Sequence, residues 1–236
     1  MPPRFFSPDR RSPARLDGPE AHHLLHVLRA GVGDEVELFD GRGFATAGRV
    51  ARVGRADAEI AVAGWARRTE REPPGPLEVI AAPPKGKRLD FLLEKATELG
   101  MTAFTPLASA RTVRSPRERD EPPEAMRRAC IEAAKQCGRN VVPEIRPALT
   151  VAGAAAEPAA GMARLLCRPG SPGIASGAAK RGPIAGFRLL IGPEGGLTDE
   201  EEAVLVAAGW EPVGLAPAIL RIETAVIAGL AQAGMP

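Results

Sequence analysis

The apolar periodicity of this chain changes at Leu77, and that change constrains the fold more than any single residue. Upstream, Glu35 to Phe39 alternates polar and apolar residues, Asp40-Gly41 is a hairpin signal, and Phe44 to Val53 and Ala58 to Trp65 resume strand-like patterns. Residues 1–72 therefore read as a small β-barrel, interrupted by one short helix from Pro19 or Glu20 through Arg29 that ends at Gly31. Pro73, Pro74, Gly75 and Pro76 form a linker, residues 73–76. Downstream, residues 77–236 alternate strands with helices, the pattern of a parallel sheet with crossover helices. Strands are expected at Leu77 to Ala82, Ala103 to Leu107, Arg164 to Cys167, Phe187 to Ile191 and Val213 to Leu215. Leu89, Leu92, Leu93, Ala96 and Leu99 mark one face of a first helix, and a second runs from about Pro123 to Cys137. A helix reaching Ala208 and a terminal helix from Ile222 to Ala233 complete the α/β class.

Composition narrows the setting. Among 236 residues, 44% are hydrophobic and 25% charged, ordinary for a globular protein that buries a core. Cys130, Cys137 and Cys167 are an odd number without CxxC spacing, which argues against a disulfide framework and for a reducing compartment. The opening Met-Pro-Pro-Arg-Phe-Phe lacks an apolar signal core, and no apolar run reaches the roughly 20 residues of a membrane helix. A cytoplasmic location is expected. The net charge of +2 hides segregation: basic residues gather at Arg4, Arg10, Arg11 and Arg15, at Lys85, Lys87 and Arg88, and from Arg111 to Arg128, whereas acid gathers from Glu194 to Glu202. Such a layout is compatible with a nucleic-acid footprint separate from a small-ligand pocket, although solvated charged faces also produce it.

Ile191-Gly192-Pro193-Glu194-Gly195-Gly196-Leu197-Thr198 carries an apolar strand into a glycine-rich turn, and Asp199, Glu200 and Glu201 then open a helix. Open α/β sheets bind small ligands at such junctions. Thr198 with Glu201 fits a capping box, so the amides that would attract a phosphate are satisfied internally, and the adjoining carboxylates repel one. The pocket suits a neutral or cationic ligand.

Other chemistries find little support. His22 and His26 share a helix face, but without a third ligand a helix packed through Leu24, Leu25 and Leu28 is preferred, and no metal is expected. No nucleophile elbow, P-loop or dinucleotide fingerprint is present. Cys137 sits at a helix C-terminus, which favours the neutral thiol and a structural role. Leu220-Arg221-Ile222-Glu223-Thr224-Ala225 places a charged pair at the start of the last helix, where a second loop can close on the same ligand as the glycine turn.

Arg4-Phe5-Phe6, His23-Leu24 with Val27-Leu28-Arg29, Lys85-Gly86 with Lys95 to Gly100, Glu132-Ala133-Ala134 with Gln136, Gly138 and Arg139, Ile191 to Gly196, and Ile219-Leu220-Arg221 with Glu223-Thr224-Ala225 occur in this order. Together they resemble the ribosomal small-subunit methyltransferase E family, the 16S ribosomal RNA uracil-N3 methyltransferases of the SPOUT superfamily. The resemblance implies an N-terminal PUA-like β-barrel, a SPOUT α/β domain with a C-terminal trefoil knot, a homodimer, and S-adenosylmethionine as cofactor. It implies cofactor contacts from Gly192, Pro193, Glu194, Gly195 and Gly196 on one wall and Ile219, Leu220 and Arg221 on the other. Leu166, Ile191, Leu215, Thr224 and Ala225 are further cofactor candidates. A sulfonium cation without phosphate agrees with the pocket read from the residues alone. Ala216 and Ala218 stand where the family usually has a glycine and a basic residue, Ile222 where it has a small hydroxyl residue, and Cys137 where it has a serine.

Uridine N3 becomes nucleophilic only as its proton leaves. Arg221 is therefore expected to stabilise the anionic base, with Glu223 or a water accepting the proton; an Arg-Glu pair that simply holds the last helix is the competing reading. Contacts to 16S ribosomal RNA in the small subunit are expected from Arg4, Arg10, Arg11, Arg15, Arg29, Lys85, Lys87, Arg88, Arg111, Arg114 and Arg139. Two alternatives remain open: a SPOUT enzyme acting on a ribose 2′-hydroxyl, and a non-catalytic RNA-binding or assembly protein.

Overall fold

A computed structural model describes residues 2–112, 123–175 and 184–234. The chain divides into two compact units, Met1–Glu72 with Ile131–Val142, and Pro73–Cys130 with Pro143–Pro236. Residues 131–142, placed by the sequence in the downstream domain, thus pack in the first unit. The reason is apolar: Ile131 and Ala134 join Phe39 and Ala45 in one core cluster.

In the first unit, β1 (Arg4–Phe6), β2 (Ala14–Leu16), β3 (Glu35–Phe39), β4 (Phe44–Val53), β5 (Ala58–Val62) and β6 (Ala66–Arg67) form a sheet in the order β1-β3-β4-β5-β2, with β6 beside β4. The alternation read in Glu35 to Phe39 sends Val36 and Leu38 inward, where they meet Phe5, Leu16, Val50 and Ile60. No pairing among the described residues joins β1 to β2, so closure into the expected barrel is not part of the observed hydrogen bonding. The short helix differs from expectation. It comprises α1 (Gly18–His22) and a π-helical turn over His23–Val27, and the chain leaves it at Arg29 with φ 54°. The wider turn keeps Leu24 in the core but rotates Leu28 outward to 43% exposure, which corrects its assignment to the packed face.

The second unit contains β7 (Leu77–Ala81), α2 (Lys87–Glu98), β8 (Ala103–Ala108), β9 (Glu144–Ile145), β10 (Leu149–Thr150), α4 (Val151–Ala156), β11 (Ala163–Cys167), β12 (Phe187–Ile191), α5 (Asp199–Ala207), β13 (Glu211–Val213) and α6 (Ile222–Gly234); α3 (Pro123–Cys137) runs from this unit into the first. Its strands pair in the order β10-β8-β7-β12-β11-β13, with β9 beside β8, and every described pairing is parallel. β7 and β12 lie at the centre, which is why they read as nearly continuous apolar runs. Glu78 breaks the run in β7. Its carboxylate accepts hydrogen bonds from Arg188 Nε at 2.7 Å and Arg146 Nη2 at 3.0 Å, so the charge is paired where it is buried.

α2 buries Leu89, Leu92, Leu93, Ala96 and Thr97, while Leu99 lies beyond its end at 36% exposure, outside the packed face expected for it. Gly100, at φ 92°, ends the turn. α6 packs against α2, β7 and β12. A Cβ on Gly229 would lie 3.0 Å from Leu189 Cδ1, so the absent side chain lets α6 settle on β12. β9, β10 and α4 escape the sequence pattern because they are only two, two and six residues long. The last strand lies at Glu211–Val213 rather than Val213 to Leu215, since Leu165, Leu166 and Cys167 of β11 pair with Glu211, Pro212 and Val213.

Candidate functional site

Parallel pairing places Cys167 opposite both Ile191 and Val213, so β11, β12 and β13 end side by side. The chain leaving them encloses a cavity of about 300 Å³, at the lower end of the size usual for small-molecule sites. Leu166 and Cys167 to Pro169 supply one side, Ile191 to Leu197 and Glu202 another, and Leu215, Ala216, Ala218, Ile219, Leu220, Ile222 and Ala225 the third.

The glycine loop owes its shape to small residues and to outside anchors at Arg111 and Ala110. A Cβ on Gly192 would stand 3.2 Å from Leu197 Cγ, and Gly196 adopts φ 71°, where a side chain is strained. Gly196 N donates to Pro193 O at 2.8 Å, closing a tight turn. Arg111 Nη1 donates to Gly195 O and Leu197 O, each at 3.1 Å. The capping box is present in full: Glu201 N donates to Thr198 Oγ1 at 3.2 Å, and Thr198 N to Glu201 Oε2 at 2.9 Å. The second oxygen of Glu201 accepts from Ala110 N at 2.8 Å, tying the segment after β8 to the same helix start.

Ionisable side chains sit on the cavity wall in pairs. Arg168 Nη1 lies 3.1 Å from Glu202 Oε2, and Glu194 Oε1 lies 3.5 Å from Arg88 Nη1 of α2. Burial pushes the Cys167 thiol up to about 12, so it is neutral at physiological pH. The wall is apolar side chain and backbone for the most part, and each of its two carboxylates has an arginine beside it.

The cavity brings together Leu166, Ile191, Gly192, Pro193, Glu194, Gly195, Gly196, Leu215, Ile219, Leu220 and Ala225. Ala216, Ala218 and Ile222 line it as well. Arg221, Glu223 and Thr224 do not line it; Arg221 and Thr224 are exposed. Glu223 is 7% exposed, and its Oε2 is buried without a hydrogen-bond partner among the described residues. Cys167, Arg168, Pro169, Leu197 and Glu202 escaped sequence reasoning. Only the register of β11 against β12 brings the first three to the glycine loop.

The basic residues expected to meet RNA fall into distinct environments. Arg4 and Arg139 are corrected: both are buried, Arg4 bonding Ala134 O, Arg139 O and Asn140 Oδ1 and Arg139 bonding Glu72, so neither guanidinium reaches a phosphate. Arg10 stacks over the Phe44 ring at 4.2 Å and lies 3.6 Å from Asp40. Arg11, Arg15, Arg29, Lys85 and Lys87 are exposed. Arg111 is committed to the glycine loop, and Arg114 lies outside the described residues. His22 and His26 have ring centroids 5.0 Å apart, and no cluster of three or more metal-ligating side chains occurs among the described residues.

Comparison with known proteins gives this geometry a lineage. The family model for an RNA methyltransferase domain matches residues 71–234, and that for an RNA methyltransferase PUA domain matches residues 16–62. Ribosomal RNA small subunit methyltransferase E of Synechocystis is 35% identical over 90% of this chain and 70% of its own length. The Mycobacterium bovis protein of the same name is 32% identical over 97% of this chain and 88% of its own. Among solved structures, ribosomal RNA small subunit methyltransferase E from Neisseria gonorrhoeae, bound to S-adenosyl methionine, superposes with a TM-score of 0.85 at 30% identity, covering 98% of this chain and 96% of that one. A Legionella pneumophila protein solved with the cofactor SAM gives 0.87 at 28% identity, covering 98% and 96%. By fold, by cavity and by sequence over nearly its whole length, this chain belongs to the ribosomal RNA small subunit methyltransferase E family.

Proposed function

We propose that the protein transfers the methyl group of S-adenosylmethionine to N3 of a uridine in 16S ribosomal RNA of the small subunit. The observation that carries this reading is the cavity at the ends of β11, β12 and β13, walled by glycine backbone and apolar side chains, beside a helix start whose Thr198 and Glu201 amides are taken up by the capping box. The residues fit the cofactor: Leu166, Ile191, Leu215 and Ile219 offer apolar surface to an adenosine, and the Glu194 carboxylate, 3.5 Å from Arg88, adds acid for a sulfonium. When bound, S-adenosylmethionine supplies an electrophilic methyl group.

The chain's own residues position and deprotonate the acceptor. Arg221 is exposed beside the loop that lines the cavity, with no side-chain partner among the described residues, so its cation is available to the developing uracil anion. Glu223 carries a buried oxygen without a hydrogen-bond partner, the condition of a group that accepts a proton when substrate arrives. That no ion pair joins the two among the described residues favours these roles over a pair that only anchors α6. RNA binding falls to the exposed Arg10, Arg11, Arg15, Arg29, Lys85 and Lys87. A SPOUT trefoil knot, a PUA-like barrel, a homodimer and action in the cytoplasm belong to the same reading. The Neisseria protein, 30% identical and bound to S-adenosyl methionine, supports the cofactor part of the reading.

Incubation with methyl-labelled S-adenosylmethionine and unmodified small-subunit RNA or particles tests the proposal. Label in RNA is expected. Cofactor bound without transfer to either substrate would favour an assembly factor, and no cofactor binding would remove the reading altogether.

A further inference from the structure

We propose that a second cavity, on the face of the sheet that carries α4 and α5, binds a small carboxylate with a short apolar body, held between Arg146, Arg188 and Thr105. The inference is independent of the cofactor reading and concerns a different part of the second unit.

The cavity measures about 220 Å³, and its wall includes Ile80, Thr105, Arg146, Leu149, Glu157 and Arg188. None of these residues lines the cofactor cavity. Lateral register places Ile80 beside Leu190 and Leu190 beside Leu166, so the buried Leu190 stands between the two cavities.

Three polar groups reach this cavity with unused hydrogen-bonding capacity. Glu78 holds the two guanidiniums on its opposite oxygens, Arg146 Nη2 at 3.0 Å from Oε1 and Arg188 Nε at 2.7 Å from Oε2. Arg146 Nε donates to Glu144 at 2.8 Å, and Arg188 Nη1 to Pro158 O at 3.0 Å. Arg146 Nη1 and Arg188 Nη2 are left without a partner among the described residues. Thr105 is 3% exposed, and its hydroxyl has no partner among them either. Buried donors left unmade are costly, and one carboxylate, with two oxygens that accept from an arginine fork and from a hydroxyl, satisfies all three.

The charges agree with an anion. Two guanidiniums share the buried Glu78, whereas the Glu144 side chain is 65% exposed and screened by water. The inner wall therefore carries a surplus positive charge that a monoanion cancels. Arg188, its side chain 5% exposed, forms the floor, and the more exposed Arg146 opens the cavity to solvent. Ile80 and Leu149 offer an apolar body a place to lie. Glu157, half-buried on the same wall, pairs with neither arginine among the described residues, so its charge opposes that of the ligand.

NMR titration of the nitrogen-labelled full chain with acetate, butanoate and butanamide tests the site. Butanoate is expected to shift the Thr105 amide, and the neutral butanamide to leave it in place. Butanoate should bind roughly tenfold more tightly than acetate, since each buried methylene contributes about fourfold. Arg146→Gln is expected to weaken butanoate about tenfold and Thr105→Val about fivefold, the ordinary effects of a charge-assisted and a neutral hydrogen bond. Glu157→Gln removes the opposing charge and is expected to strengthen butanoate about threefold. An unchanged melting temperature shows that a variant is folded; if Arg146→Gln melts early, Thr105→Val and Glu157→Gln decide, because neither side chain bonds within the chain among the described residues. No shift at Thr105, an equal response to butanamide, equal affinity for acetate and butanoate, or affinity that ignores the substitutions in folded protein overturns the site. None of these results bears on the cofactor reading, which methyl transfer tests separately.

Discussion

Glu223 and Arg221 sit two positions apart yet live in opposite environments, one buried with an unsatisfied oxygen and the other in solvent. If they divide the work as proposed, Arg221→Ala lowers kcat by roughly a hundredfold or more, the scale for loss of a group that stabilises a developing anion. The same variant keeps cofactor affinity within a few fold by calorimetry, because Arg221 does not line the cavity. Glu223→Gln is expected to lower kcat by about a hundredfold, the scale for loss of a general base; an unchanged kcat assigns the proton to water instead. At Cys167 the raised thiol value of about 12 means that the neutral form persists through physiological pH. The folded protein should therefore resist iodoacetamide at this position at neutral pH, with peptide mass spectrometry as the readout, and prompt labelling there would contradict a neutral thiol. Motif and spacing pointed to Gly192 through Gly196 because backbone geometry writes itself into glycine. They could not point to Arg168 or Glu202, whose relevance comes from the lateral register of β11 and from the first turn of α5.

At the scale of elements, the start of α5 joins several constraints: capping box, glycine loop and the segment after β8 meet at Glu201 and Arg111. Thr198→Ala is expected to cost about 1 kcal/mol, the usual value of an N-cap, by urea unfolding. Arg111→Ala removes two hydrogen bonds to loop carbonyls, so its larger effect is expected in cofactor Kd, an increase of about tenfold, from bonds to a charged donor. In the central sheet, burial raises the affinity of Glu78 for a proton, but hydrogen bonds and charge from Arg146 and Arg188 outweigh it and hold the carboxyl below its ordinary value. A depressed folded value means stabilisation that is present above the unfolded value, about 4.3 for Glu, and lost as pH falls through the folded one. Glu78→Gln should therefore unfold at lower urea than wild type near neutrality, with the gap narrowing toward acid. Strand and helix order was legible in elements of ordinary length for their type, as at Phe44–Val53, Lys87–Glu98 and Phe187–Ile191, but not in α4, whose six residues make less than two helical turns. β9 and β10 are held by pairing to β8 rather than by any local pattern, and the π-helical turn at His23–Val27 places Leu24 in the core at the expense of a regular helix.

For the whole molecule, the first unit runs to Glu72, beside the proline cluster, and includes Ile131–Val142, whose return no local pattern announces. It depends on contacts of Ile131 and Ala134 with Phe39 and Ala45 far away in sequence. Exposed Arg10, Arg11, Arg15, Lys85 and Lys87 predict RNA affinity that falls steeply as salt rises, because phosphate contacts release counterions. Filter binding across a salt series checks this, and affinity independent of salt would exclude these residues as the footprint. Unmodified small ribosomal subunits, incubated with the protein and methyl-labelled S-adenosylmethionine, would be digested to nucleosides and resolved by mass spectrometry. Label confined to N3-methyluridine is the predicted result; label on a ribose 2′-oxygen, or none in RNA while cofactor remains bound, would contradict it.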